Sequence, residues 1–216
     1  MLKDLETRHI QRKVASKIVL KDAYKKPITG VGGIDLAFLD DTAVVACVTV
    51  DYDSLEVRSE KWLMASLDFP YIPTLLCFRE GPPLIEMINT MESKPEVFLI
   101  NAHGIAHPMR CGCASYVGVL ANVPTIGIAS RNLCGEYDSE PTRVGEHVPL
   151  THNGRIVGWA LKSRKGCTPI FVSPGHGVSL TSSLEIVMKC TETNKLPEPL
   201  SLAHALANRV KKNHSI

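Results

Sequence analysis

Residues 29–50 read TGVGGIDLAFLDDTAVVACVTV, which is two apolar, β-rich runs on either side of an Asp-Asp turn. The runs cover about residues 29–38 and 42–50, and a third run of the same kind follows at about 56–66. β-rich runs that are separated only by short turns favour antiparallel pairing between neighbours. This stretch therefore predicts an antiparallel meander of three strands.

The chain on either side of the meander predicts helices and further strands. A β-α-β unit in the middle of the chain should place two parallel strands side by side. An Asn153-Gly154 turn favours a hairpin between two later strands. Together these features predict an α/β fold, with a mixed sheet of an antiparallel meander plus parallel strands and with helices on both faces. The expected helices are 3–26, 74–91 (interrupted near Pro82-Pro83), 110–121, 180–191 and 200–212, and the expected later strands are 96–101, 124–129, 146–151, 155–162 and 169–172.

The composition is that of one folded domain over residues 1–216. With 44% apolar residues the chain can bury a substantial core, and its net charge of +2 means that any nucleic-acid binding must come from a local basic patch. No apolar run approaches the roughly 20 residues that a bilayer requires, and the first residues lack the apolar core of a signal peptide. Seven scattered cysteines fit buried thiols in a reducing compartment. We expect a cytoplasmic monomer with no membrane partner.

Two acidic residues stand in settings where a carboxylate needs an explanation. Asp35 lies between Ile34 and Leu36 in an apolar strand, so it is either a metal ligand or a strand-edge residue that faces solvent. Glu80 follows Arg79 in a predicted helix, where a solvated surface charge is the ordinary interpretation. The residues alone do not decide between a metal ligand and a solvated surface charge at either position.

Five motifs in a fixed order resemble those of the endonuclease V family. They are GIDLAF at 33–38, PYIP at 70–73, FREGP at 78–82, NAHGIAHP at 101–108 and SPGH at 173–176. Each motif is weak alone, but the motifs are specific in combination, and the resemblance covers about residues 5–205. The resemblance implies a ribonuclease H-like fold and a metal-dependent endonuclease that acts on inosine-containing (deaminated) DNA or RNA. Such an enzyme hydrolyses a phosphodiester bond 3′ of the lesion.

The resemblance also assigns residues to roles. Asp35, Glu80 and Asn101 fall on the metal-binding and catalytic positions, and His176 matches a late histidine beside the metal. The implied cofactor is Mg²⁺ or Mn²⁺, and Mn²⁺ is favoured if His103 or His176 binds it. The wedge that opens the strand is Pro70, Tyr71, Ile72 and Pro73. The base pocket is Leu76, Gly104, His107, Gly112 and Gly127, and the phosphate-binding candidates are Arg131, Lys162, Arg164 and Lys165.

The chain departs from the family pattern at four positions around one site. Asn101 replaces the third metal-binding aspartate, Ser130 falls on the catalytic lysine, and Thr74 and Ala102 replace glycines. An amide oxygen can ligate a hard cation but brings no negative charge, so metal affinity should fall. The main hypothesis is therefore an endonuclease with an atypical site. The alternatives are a homologue that recognises deaminated bases without cutting, and a nuclease with another substrate.

Overall fold

The protein, seen here in a computed structural model, is described over residues 2–214, with side chains over residues 5–214. One eight-stranded sheet with the order β3-β2-β1-β4-β5-β8-β7-β6 runs through it. The strands are β1 Gly30–Leu39, β2 Thr42–Asp51, β3 Val57–Ser66, β4 Val97–Ile100, β5 Thr125–Ala129, β6 His147–His152, β7 Arg155–Leu161 and β8 Ile170–His176. The helices are α1 Leu2–Ala15, α2 Leu76–Asn89, α3 Cys113–Ala121, α4 Leu180–Lys189 and α5 Glu198–His214.

The register of the sheet confirms the predicted mixture of strand directions. β1 pairs antiparallel with β2, and β2 with β3, which is the predicted meander. β1, β4 and β5 run parallel, with Ile34 opposite Ile100 and Ile100 opposite Gly127. β8, β7 and β6 continue the sheet by antiparallel pairing, and the β6–β7 turn has positive φ at Asn153 and Gly154, as an Asn-Gly hairpin requires.

Helices cover both faces of the sheet, as predicted. On one face α4 and α5 bury apolar side chains against β1, β2, β4, β5 and β8. On the other face α2 and α3 pack against β1, β2 and β4. A loop that carries Ile105 and Ala106 covers β6, β7 and β8, together with Ile18, Leu20 and Tyr137. The described residues contain no helix that is long and apolar enough to cross a membrane.

Several predicted element ends are displaced, most of all the end of the N-terminal helix, and tertiary hydrogen bonds explain that one. The N-terminal helix was expected to reach residue 26 but ends at Ala15. The following segment is held instead by β8 and the β8–α4 turn, because Val19 and Ala23 exchange backbone bonds with Gly177. β4 ends at Ile100 rather than at residue 101, and β8 extends to His176 rather than ending at residue 172.

Helix α2 continues through Pro82 and Pro83, where an interruption was expected. Each proline removes one backbone donor, which in a helix interior costs about 3 kcal/mol. The helix is retained because one face of it is in the core, where Leu84, Met87 and Ile88 are fully buried. This continuity fixes Glu80 on a buried helical turn.

Candidate active site

Asp35 is the centre of a polar cluster at the carboxyl ends of the parallel strands. It lies in the middle of β1 and is 5% exposed. One carboxylate oxygen accepts a hydrogen bond from Nδ2 of Asn101 at 3.2 Å, and the other is 2.7 Å from Nδ1 of His204. Burial raises the pKa of Asp35, and the contact with His204 acts in the opposite direction. The solvent-facing alternative for Asp35 is therefore excluded.

Glu80 supplies a second buried carboxyl group from α2. It is 8% exposed, and its side chain makes no hydrogen bond among the described residues. Burial and the nearby charge of Asp35 raise its pKa to about 7. Two neighbouring buried acids, one of them without a hydrogen-bond partner, are an arrangement that a bound cation would relieve.

Asn101 follows the last residue of β4, and its amide group lies against Asp35. Since Nδ2 points to the carboxylate, Oδ1 remains as the group that can face a cation. The described residues contain no group of three or more His, Cys, Asp or Glu side chains that could hold a metal. Two carboxylates and one amide oxygen still suit a hard divalent cation such as Mg²⁺ or Mn²⁺, but with less charge than three carboxylates.

His204 is the functional candidate that sequence reasoning missed. It lies on α5, 169 residues after Asp35, and pairs with it while its own side chain stays 56% exposed. Asn208, one turn later, lies 3.2 Å from its other ring nitrogen. The only sequence signal is a histidine beside the buried Ala203 in an amphipathic helix, which does not identify a partner.

His176 lies away from this cluster, and its predicted place beside the metal needs correction. It is the last residue of β8 and pairs with Thr125, the first residue of β5. Asn101 follows Ile100, which is level with Gly127 further along β5. The Nδ1 atom of His176 accepts a hydrogen bond from the backbone of Val19 at 3.3 Å, so its role in this structure is to anchor the segment after α1.

A cavity of about 310 Å³ opens beside the PYIP turn. Tyr71 is 70% exposed and Ile72 is 39% exposed, so two apolar side chains project next to the opening. Such an arrangement suits an extruded base in the cavity and an apolar side chain in the gap that it leaves. The lining residues are Tyr71, Ile72, Pro73, Thr74, Leu76, Cys77, His103, His107, Cys111, Gly112, Cys113, Arg131, Asn132 and Leu133.

Thr74 forms part of the cavity wall in a backbone conformation that favours glycine. Its φ is +69°, which is costly for a β-branched residue. Its carbonyl oxygen accepts a bond from Nε2 of Gln11 at 2.8 Å and lies 3.0 Å from Nε2 of His107. These two contacts hold the turn, and the Thr74 side chain occupies space that a glycine would leave open.

The residues expected in the base pocket divide into two groups. Leu76, His107 and Gly112 line the cavity. Gly104 and Gly127 do not line it, and they are instead needed for close backbone packing. A Cβ on Gly104 would lie 2.1 Å from the carbonyl oxygen of Pro174, and one on Gly127 would lie 2.3 Å from the backbone nitrogen of Gly104. Burial lowers the pKa of both His103 and His107 to about 4, so both rings are neutral at pH 7.

The expected phosphate-binding residues lie at the carboxyl end of β5 and in the loop between β7 and β8. Arg131 is exposed and lines the cavity, one residue after the exposed Ser130. Lys162 bonds to the carbonyl oxygen of Cys167 within its own loop, whereas Arg164 and Lys165 are exposed. That loop follows β7. In the sheet β7 lies three strand positions from β4, and each position adds about 4.8 Å.

The sequence model of the Endonuclease V family matches residues 12–205. The chain belongs to the endonuclease V family. It is 38% identical to Endonuclease V of Roseiflexus sp. (strain RS-1) over 203 residues, which are 94% of this chain and 91% of the relative. Members of the endonuclease V family hydrolyse phosphodiester bonds.

Solved endonuclease V structures share the fold over nearly the whole chain. Endonuclease V from Streptomyces avermitilis has 33% identity and a TM-score of 0.89, covering 98% of this chain and 94% of its own. Ciona intestinalis Endonuclease V, in complex with a 24mer DNA that contains an inosine followed by a ribo-adenosine, has 25% identity and a TM-score of 0.85. That match covers 98% of each chain.

Proposed function

We propose that this protein is a metal-dependent endonuclease that acts on inosine-containing DNA or RNA and hydrolyses a phosphodiester bond 3′ of the lesion, as part of DNA repair. The observation that carries the proposal is the pairing of two buried carboxyl groups, Asp35 and Glu80, at the same end of the molecule as a wedge and a base-sized cavity. The inosine-containing strand in the Ciona relative supports the substrate class.

The residues of the chain divide the work between binding and chemistry. Asp35, Glu80 and the amide oxygen of Asn101 would hold Mg²⁺ or Mn²⁺, which supplies an activated water and stabilises the leaving oxygen. His204 holds the Asp35 carboxylate in position through the 2.7 Å contact. Tyr71 and Ile72 would fill the gap left by the extruded base, and the cavity walls would bind that base.

A second candidate function is recognition of deaminated bases without cutting. Two observations favour it: Asn101 already satisfies Asp35 by donating a hydrogen bond, and Ser130 stands where the resemblance expects a catalytic lysine. A site of this kind binds the cation more weakly, because one negative charge is missing.

The test is cleavage of single-inosine oligonucleotides, as DNA and as RNA, with Mg²⁺ or Mn²⁺. Cutting at one defined bond that is abolished by Asp35→Ala supports the endonuclease. Inosine-selective binding with no cutting at high Mn²⁺ supports the recognition protein. Binding that does not distinguish inosine from adenine contradicts both.

We further propose that the chain acts as a single-domain monomer in the cytoplasm. Support comes from one sheet that runs through the described residues and from seven cysteines that all are free thiols, five of them buried. Analytical ultracentrifugation tests the oligomeric state, because a dimer at micromolar concentration would contradict it.

A further inference from the structure

A second cavity lies beside the base-sized one and carries positive charge. It has a volume of about 320 Å³ and lies between the loop before α3 and the β6–β7 hairpin. None of the acidic residues that the structure describes lines it. Its lining residues are Pro108, Arg110, His152, Asn153, Arg155 and Val157.

The two guanidinium groups of this cavity belong to Arg110 and Arg155. Among the described residues, neither Arg110 nor Arg155 makes an ion pair or a side-chain hydrogen bond. Two surface arginines elsewhere do have acidic partners, Arg209 with Glu60 at 3.0 Å and Arg58 with Asp51. Two unpaired guanidinium groups at one concave site, with an imidazole and an amide nearby, favour an anion with several acceptor oxygens.

The backbone connects this charged cavity directly to the base cavity. Arg110 lines the first and Cys111, the next residue, lines the second. Arg110 has a φ of +51°, and its amide donates to the carbonyl oxygen of His107 at 2.7 Å. His107 itself lines the base cavity, so this tight turn fixes the position of Arg110 relative to the wall where the base would lie.

We propose that Arg110 and Arg155 bind a backbone phosphate of the nucleic-acid strand next to the extruded base. This inference rests on the proposed function, since it takes the base cavity as the site of the deaminated base. Phosphate contacts fix the register of a strand and carry no sequence information. The site therefore positions the strand on one side of the lesion over the β6–β7 hairpin.

The test is the salt dependence of binding to a fluorescent single-stranded DNA with one inosine, without added divalent metal so that the strand stays intact. Arg110→Gln and Arg155→Gln each remove one charge, and Arg155→Lys retains it. Lys94→Gln is the matched control, because Lys94 is exposed and lines neither the base cavity nor the charged cavity. An adenine strand of the same length reports selectivity for inosine.

Each arginine variant should weaken binding roughly three- to fivefold at physiological salt, and lower the slope of log K against log salt by about 0.7. The slope should be unchanged in Lys94→Gln and largely kept in Arg155→Lys. The loss of affinity should be seen only when the strand extends from the inosine on one side, either 5′ or 3′, and not when it extends on the other side. Equal loss with both extensions, or unchanged slopes in both arginine variants, overturns the proposal.

The same experiment separates this inference from the proposed function. If the wild-type protein binds inosine and adenine strands equally, the proposed function fails, and the slopes measured with the adenine strand still decide whether Arg110 and Arg155 bind phosphate. If inosine selectivity is present but the slopes do not change, the proposed function stands and the phosphate site is rejected.

Discussion

Asp35 is held on both oxygens by protein groups, so a cation at this site must compete with them. Asn101 donates to one oxygen and His204 contacts the other. An aspartate at position 101 could not donate a hydrogen bond once ionised, and it would leave three carboxylates to share a cation. The amide of Asn101 therefore favours the metal-free form of the site over the metal-bound form.

We predict that Asn101→Asp raises the rate of inosine-strand cleavage at least tenfold at subsaturating Mg²⁺. The added unit charge next to a divalent ion contributes several kcal/mol at an effective dielectric constant near 20, before desolvation is subtracted. Single-turnover cleavage over a range of Mg²⁺ concentrations measures this effect.

The matched control for that variant is Asn101→Ala, which removes the amide without adding charge and should not gain activity. The aspartate variant should also be less stable without metal, because a third buried carboxylate is then uncompensated. A rate that does not rise at any Mg²⁺ concentration would mean that Ser130 or the base cavity limits cleavage instead.

Thr74 shows how a residue in the base cavity can be strained. Its φ of +69° is costly for any residue with a Cβ, by about 1–2 kcal/mol in the left-handed region. We predict that Thr74→Gly is more stable than Thr74→Ala by about 1 kcal/mol, which reverses the usual order of these two residues. Urea denaturation of the two variants measures the difference, and an alanine variant that equals or exceeds the glycine variant would show that the turn is not strained.

At the residue scale the sequence predicted the acids better than their partners. Asp35 and Glu80 stood out because a charge in an apolar strand and a recognisable motif are both local signals. His204 was missed because its contact with Asp35 bridges 169 residues and depends on how α5 crosses the sheet. The sequence suggested His176 because its motif was recognisable, although pairing in β8 keeps it at the other end of the strands.

At the scale of elements, the segment between β4 and α3 has the greatest effect on the site. It carries Asn101, two cavity histidines and Arg110, and its turns bring the backbone of Gly104 against Gly127 and Pro174. The sequence predicted the strand and the helix on either side of it. It could not predict the path between them, because that path is set by backbone contacts with β5 and β8.

Buried neutral histidines in this segment make the fold sensitive to acid. The pKa of His107 is lowered to about 4 by burial, whereas an unfolded histidine titrates near 6.5. Above pH 6.5 the His107 side chain is neutral in both the folded and the unfolded protein, so it does not change the free energy of unfolding. As the pH falls below 6.5 the unfolded state gains a proton that the folded state does not take up, so stability is lost.

We predict that wild-type protein loses on the order of 2 kcal/mol of unfolding free energy between pH 7.5 and pH 5 because of His107. His107→Gln keeps a donor that can reach the Thr74 carbonyl oxygen and has no titrating group, so its loss should be smaller by that amount. Urea denaturation at the two pH values measures both proteins. An identical loss in the variant would assign the acid sensitivity to other groups.

At the scale of the whole molecule, the site exists because the sheet brings distant parts of the chain to one end. Asp35 comes from β1, Glu80 from α2, Asn101 from the end of β4 and His204 from α5. The meander, the parallel pair and the helices on both faces followed from hydrophobic patterns and turn residues. The β6–β7 hairpin followed from its Asn-Gly turn, but the pairing of β8 with β5 did not, since β6 and β7 come between these two strands in the chain.

Whether Asp35 and Glu80 form a metal site is decided by Mn²⁺ binding to the wild-type protein, followed by the electron paramagnetic resonance of free Mn²⁺. We predict binding that is abolished when Asp35→Asn and Glu80→Gln are combined and that is strengthened by Asn101→Asp. The double variant keeps side-chain size and removes both charges, so its folding is checked by circular dichroism. Wild-type protein that binds no Mn²⁺, or binds it equally well in the double variant, would contradict a metal site at Asp35 and Glu80.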